Sequence, residues 1–143
     1  MPIMAQQILM VGGMSFLAFA VLGGLWVHVD SQRSATKTAG RYVMQLHLFC
    51  LLFGILLLSL SNVVPMTTYS DSTKRLIANS LILGGACFAV RCFILAIARN
   101  PNVYQRPNRL ASTLGSIFAV LVGISIFAIF IGIVLAAFSQ GTP

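Results

Sequence analysis

Four long apolar stretches alternate with short polar ones along this chain. They run from Ile8 to Val27, from Val43 to Val64, from Leu76 to Ala98 and from Leu110 to Phe138. Each has the roughly 20 residues that a helix needs to cross a hydrocarbon layer about 30 Å thick. Because backbone amides in lipid must be hydrogen-bonded within their own segment, each stretch is predicted to be a helix. The pattern therefore predicts an all-α, integral membrane four-helix bundle.

The composition supports this interpretation. Of the 143 residues, 58% are hydrophobic and only 8% are charged, which lies outside the balance of soluble domains. The connections are short, so the helices are predicted to be antiparallel neighbours in a single transmembrane domain covering residues 1–143. Ala18-Phe19-Ala20 resembles a signal-peptide cleavage site, but no Lys or Arg precedes the run and the run continues to Val27. The first stretch is therefore predicted to be a retained helix.

The basic residues indicate a membrane topology. The first and third loops hold Arg33, Lys37, Arg41, Arg99, Arg106 and Arg109, whereas the second holds Lys74 and Arg75. The positive-inside rule then places loops one and three in the cytoplasm and both termini outside, in a multi-pass protein. The net charge of +7 is scattered among loops and does not form one face with interleaved aromatic residues, so the predicted partner is the lipid bilayer and no nucleic acid.

Few residues offer catalytic chemistry. Asp30 and Asp71 both lie in loops, which excludes paired-carboxylate chemistry within the bundle. Cys50, Cys87 and Cys92 lie in predicted helices without a CxxC pair, so they are interpreted as small apolar side chains in the packing.

One stripe of helix two is small and polar. His47, Gly54 and Ser61 share it, with Cys50 at its edge. Polar groups at membrane depth are costly and are candidates for function. His47 is either a metal or haem ligand or a core histidine with its hydrogen bonds satisfied, and Gly54, two turns further on, is predicted to leave room for a flat macrocycle.

A second histidine ends helix one. The short first loop returns His28 and His47 to the same membrane face, where the pair could grip a metal ion or ligate a haem from two sides. The alternative is that His28 is an interfacial residue beside Trp26.

Helix three carries a similar stripe, formed by Ser80, Gly84, Cys87 and Arg91. Arg91 either extends its charge to the headgroups or neutralises an anionic group such as a carboxylate or a haem propionate.

Helix four carries small residues at four-residue intervals, namely Gly115, Ala119 and Gly123. Such a ladder lets two helices approach closely. It is predicted to serve either packing within the monomer or a subunit interface.

The same residues resemble a known family. The matching motifs are Gly24-Leu25-Trp26-Val27-His28, then His47, Gly54 and Pro65 in helix two, then Asp71, Thr73 and Arg75 at the start of helix three. In these motifs, and in helix order and loop placement over most of its length, the chain resembles the styrene oxide isomerase family of small four-helix membrane enzymes that bind haem b.

The resemblance implies a trimer, hence a homo-oligomer, and a ferric haem b held by His47. It also implies that the haem acts as a Lewis acid on a small apolar epoxide, giving an aldehyde or ketone without net redox change. Arg91 is then the candidate partner of a haem propionate.

The chain departs from the family at two positions. Phe53 stands where the family has an asparagine, and a position at or near Cys92 stands where it has a substrate-orienting tyrosine. Tyr42 and Tyr104 lie on the same side and are candidates for that role. Two other functions therefore stay open: a b-type electron carrier with His28 as second ligand, and a haem-free accessory or assembly subunit of a larger membrane complex.

Overall fold

The computed structural model describes residues 4–99 and 108–139, which form four helices. They are α1 (Ala5–Arg33), α2 (Arg41–Val63), α3 (Asp71–Ile97) and α4 (Arg109–Ser139), and a 3₁₀ turn at Val64–Met66 extends α2. By length and composition, each helix can cross a membrane. The predicted all-α, four-helix, multi-pass membrane protein is confirmed.

Polar residues set the helix ends close to where the apolar stretches end. The Ser70 hydroxyl accepts the Thr73 backbone N–H at 3.3 Å at the start of α3, and Asn108 Oδ1 accepts the Ala111 N–H at 3.0 Å at the start of α4. Both satisfy amides that have no partner within the helix. Helix α1 continues past its predicted apolar stretch to Arg33. Arg106 and Tyr104 lie outside the described residues.

The helices associate as two extensive pairs, α1 with α2 and α3 with α4, and α3 joins the pairs by packing on α1 and α2. The first loop lies between Arg33 and Arg41. It shares one end of the bundle with the end of α3 and the start of α4, and this end is called the loop-one end below. The loop before α3 lies at the opposite end, where the Tyr69 hydroxyl donates to the Ala128 carbonyl at 2.9 Å.

Five phenylalanine rings, contributed by all four helices, fill the centre of the bundle. Their centroids lie 4.4 to 6.3 Å apart in stacked, tilted and edge-on arrangements, and they are Phe16, Phe49, Phe53, Phe88 and Phe118. Aromatic pairs in these geometries stabilise a core beyond the area they bury. Large apolar side chains on every helix face outwards, as a helix surrounded by lipid requires.

Candidate functional site

His47 lies where α1 and α2 approach each other most closely at the loop-one end. Its Nδ1 is 2.8 Å from the carbonyl oxygen of Ala20 on α1. A Cβ atom on Gly23 would be 3.2 Å from His47 Cα, and one on Gly24 would be 3.2 Å from Cε1 of the ring. The two consecutive glycines therefore allow both the helix backbone and the imidazole to pack directly on α1.

The hydrogen bond to Ala20 determines the tautomer of His47. A carbonyl oxygen only accepts, so Nδ1 carries the proton and donates it to Ala20. In the neutral imidazole, Nε2 then carries the free lone pair. Histidines that ligate metals usually donate their other ring N–H in this way, often to a backbone carbonyl, which holds the ring in one orientation.

The Nε2 atom of His47 remains accessible. In the described part of the chain, His47 makes one hydrogen bond, through Nδ1, so Nε2 has no hydrogen-bond partner. Every fully buried side-chain nitrogen or oxygen in the same residues does have such a partner. Nε2 is therefore not sealed within the bundle. The residues beside His47 along α2 include Met44, Leu48 and Leu51, all exposed, so the surface next to His47 is apolar.

His28 lies on the same side of α1, one helical turn beyond Gly24. Its side chain is exposed. Among residues 4–99 and 108–139, no group of three or more His, Cys, Asp or Glu side chains comes together. Within the described residues, a bound metal centre would therefore have His47 as its ligand from α2. His28 on α1 is the nearest candidate for a second ligand.

Gly54 does not leave the open space that its position on the stripe suggested. A Cβ atom there would be 3.0 Å from the carbonyl oxygen of Gly13 and 3.0 Å from the Leu17 side chain. Helix α1 fills this space, so the prediction of room for a macrocycle beside Gly54 is wrong. The small residue serves close helix packing instead.

Arg91 contacts a different part of the bundle. Its guanidinium carbon lies 5.3 Å from the centre of the Phe88 ring, and its Nε would be 3.1 Å from a Cβ atom on Gly115 of α4. His47 faces α1, whereas Arg91 faces α4. The structure does not bring the two side chains into contact, and the propionate role of Arg91 stays a prediction.

The two positions that depart from the family are both interior. Phe53 belongs to the aromatic core, and Cys92 is fully buried. Tyr42 is also buried and packs with Leu95 and Ala111. Phe53 and Cys92 thus lie in the interior of the bundle, and Tyr42 packs against α3 and α4.

The small-residue ladder of α4 is only partly occupied. Gly115 packs against Arg91, whereas a Cβ atom on Gly123 would have no neighbour within 4 Å, and Ala119 is exposed. Packing within the monomer therefore explains the small residue at Gly115. Homo-oligomer formation through the other two positions stays a prediction.

The sequence did not indicate how important Ala20 and Gly23 are to this site. A pair of adjacent glycines within a membrane helix, here Gly23 and Gly24, indicates that a neighbouring helix approaches closely. This pair is the feature of the sequence that could have indicated the site. The acceptor itself is a backbone carbonyl, which has no signature in the sequence.

Comparison of the chain with known protein families, curated proteins and solved structures finds no match. The fold and the site define a four-helix, multi-pass membrane protein with a histidine that is held against α1 in one orientation.

Proposed function

We propose that this protein binds haem b through His47 and isomerises a small apolar epoxide to a carbonyl compound. The observation that supports haem ligation is the 2.8 Å hydrogen bond from His47 Nδ1 to the Ala20 carbonyl. It leaves the lone pair of Nε2 free and holds the ring in place, which suits an axial ligand.

The surroundings of His47 also suit a large apolar group. The imidazole packs on Gly24 of α1, and the exposed residues beside His47 on α2 are apolar. Both carboxylates of the chain lie near helix ends, at Asp30 and Asp71. Among the described residues, no hydrogen bond or ion pair joins either carboxylate to His47, and Asp30 accepts from the Gly40 N–H, so the proposed role of His47 is to hold and orient the haem.

When bound, a ferric haem with a single protein ligand supplies a Lewis acid for epoxide opening. The overall reaction breaks one C–O bond and moves a hydride to the neighbouring carbon. Substrate and product are isomers, so no reductant or oxidant is consumed. The resemblance in sequence supports this activity, and the geometry at His47 supports the haem.

A b-type electron carrier is the second candidate. The observation that favours it is that His28 is exposed on the same side of α1, one turn beyond Gly24. If His47 and His28 both held the haem iron, the iron would have no free position for a substrate.

The first experiment is the visible absorption spectrum of the detergent-purified protein from haem-replete cells, with and without dithionite, followed by incubation with styrene oxide. A high-spin ferric spectrum together with an aldehyde product is the expected result. A low-spin spectrum that His28→Ala converts to high-spin, without product, would identify the electron carrier. A featureless spectrum and larger proteins that copurify would contradict both haem functions and favour the accessory subunit.

Gly24 is expected to position the ligand. Gly24→Leu places a side chain where the imidazole lies and turns the ring away from Ala20, so we expect haem affinity to fall about 10- to 100-fold, as when the hydrogen-bond partner of a metal ligand is lost. Haem titration followed at the Soret band measures this. The control is Val21→Leu, which enlarges an exposed side chain of the same helix. Equal affinities in the two variants would show that the Gly24 surface does not position His47.

A further inference from the structure

A long apolar groove runs along α1 and is lined by Gly23, which also packs against His47. It is a cavity of about 830 Å³ between α1 and α3, with Leu46 and Cys50 of α2 contributing to its wall. On α1 its lining extends from Gln7 to Trp26, which corresponds to about 28 Å along a helix. One leaflet of a bilayer contributes about half of a 30 Å hydrocarbon core, so the groove is longer than one leaflet is deep.

The groove has almost no polar group to offer a ligand. The Ser15 hydroxyl donates to the Val11 carbonyl at 2.8 Å, and Gln7 Oε1 accepts from the Met4 N–H at 3.2 Å. The other lining residues are apolar or glycine. Because a polar ligand group would lose its hydrogen bonds on entering, the chemistry of the groove selects a hydrocarbon chain.

A second cavity of about 660 Å³ lies at the loop-one end and shares Trp26 with the groove. It is polar, and its lining includes the cations Arg33 and Arg99. Asp30 also lines it, but the carboxylate of Asp30 accepts a hydrogen bond from the Gly40 N–H at 2.6 Å. The cavity is thus lined by two positively charged side chains and by one carboxylate that is already hydrogen-bonded. This excess of positive charge suits the binding of an anion.

The backbone of Arg99 ends α3 at this cavity. Its φ of 45° lies in the left-handed region, which costs a residue with a Cβ atom about 1 kcal/mol or more and costs glycine little. Arg99 follows the C-cap residue Ala98, where helices commonly end in this conformation, so the φ marks the end of α3 at the rim of the cavity.

We propose that the groove and the polar cavity together form a binding site for one anionic phospholipid. An acyl chain lies along α1 and α3, the glycerol region passes Trp26, and the phosphate group lies at Arg33 and Arg99. Trp26 packs edge-on against Phe93, with ring centres 5.6 Å apart, and such an aromatic pair suits the boundary between hydrocarbon and headgroup. The His47 side chain does not line the groove or the polar cavity, and this proposal does not depend on haem binding.

The test is native mass spectrometry of the full chain released from detergent, with added phosphatidylglycerol or phosphatidylcholine of the same acyl chains. Each arginine near the membrane surface contributes about a five-fold preference for anionic lipid. The wild type is therefore expected to prefer phosphatidylglycerol about 30-fold, and Arg33→Gln with Arg99→Gln is expected to remove that preference.

The matched control is Lys37→Gln with Lys74→Gln, which removes the same charge from positions that do not line the cavity. This control is expected to keep most of the preference. An equal loss in both double variants would overturn the proposal, because net charge alone would then explain binding. Equal binding of the two lipids by the wild type would also overturn it.

A second variant tests the groove. Ala86 lines it, and Ala86→Phe is expected to reduce binding of both lipids while leaving the helical circular dichroism unchanged. Unchanged lipid binding in Ala86→Phe would overturn the proposed path of the acyl chain. Dissociation of an oligomer by Ala86→Phe, without a change in bound lipid, would identify a second copy of the chain as the occupant instead.

Discussion

His47→Asn is expected to abolish haem binding while the bundle stays folded. The asparagine Nδ2 can donate to the Ala20 carbonyl in place of the imidazole Nδ1. No asparagine atom occupies the position of Nε2, so the ligand is lost while the link between α1 and α2 is kept. The Soret absorbance per protein, measured after expression in haem-replete cells, is expected to fall to background.

Two further variants complete this test. His28→Asn is expected to keep its haem if His47 is the single protein ligand. His47→Gly removes the imidazole altogether, and added free imidazole is expected to restore the Soret band. Because the hydrogen bond survives in His47→Asn, its unfolding free energy is expected to stay within about 1 kcal/mol of the wild type. An unchanged Soret band in His47→Asn would mean that the ligand lies elsewhere.

Gly13→Leu is expected to have the largest effect on stability. A Cβ atom on Gly13 would be 2.8 Å from Leu58 Cγ and 2.9 Å from the Gly54 carbonyl oxygen. The backbone oxygen cannot move without moving α2, so the two helices must separate. Overpacking of this kind costs about 3 kcal/mol or more, and it is expected to appear as a lower unfolding midpoint in a titration with sodium dodecyl sulfate.

The separation of α1 and α2 also has a consequence for the site. Ala20 lies about two turns from Gly13 along the side of α1 that contacts α2, so Gly13→Leu is expected to lose the hydrogen bond to His47 and to bind haem weakly. Gly13→Leu is therefore expected to lose both stability and haem binding, whereas His47→Asn is expected to lose haem binding alone.

The matched control for this variant is Gly123→Leu. A Cβ atom on Gly123 has no neighbour within 4 Å among residues 4–99 and 108–139 of the same chain, so the added side chain does not disturb packing within the described bundle. Its unfolding free energy is expected to change by about 0.5 kcal/mol or less. A Gly13→Leu variant that unfolds like Gly123→Leu would contradict the close approach of α1 and α2.

The site at His47 could be predicted only in part. A histidine inside an apolar run marks a position of interest, because a polar group in lipid needs a partner. The prediction for Gly54, on the same stripe of α2, was wrong. Its missing side chain was interpreted as space for a ligand, but the structure shows that α1 occupies this space. A glycine in a sequence marks where a side chain is absent, and only the neighbouring helix decides whether the gap is open.

The polar cavity at Arg33 and Arg99 illustrates a second limit. Both residues entered the sequence interpretation as loop charges that orient the protein in the membrane. They belong to different loops, separated by two helices, and they meet at one cavity because the ends of α1 and α3 lie at the same end of the bundle. Nothing local to either residue indicates that arrangement.

The sequence alone determined that this protein has four membrane-spanning helices, and it placed six of their eight ends to within three residues, whereas the end of α1 and the start of α3 lie six and five residues outside the apolar stretches. This follows from a local requirement, because each segment in lipid must satisfy its own backbone hydrogen bonds and must match the hydrocarbon thickness. The tertiary structure decided which helix faces meet and that His47 donates to Ala20. It also decided at which glycines a neighbouring helix occupies the space beside the backbone. Lipid is as apolar as the side chains themselves, so burial does not distinguish the helix side from the lipid side, and close packing between particular small residues decides the pairing.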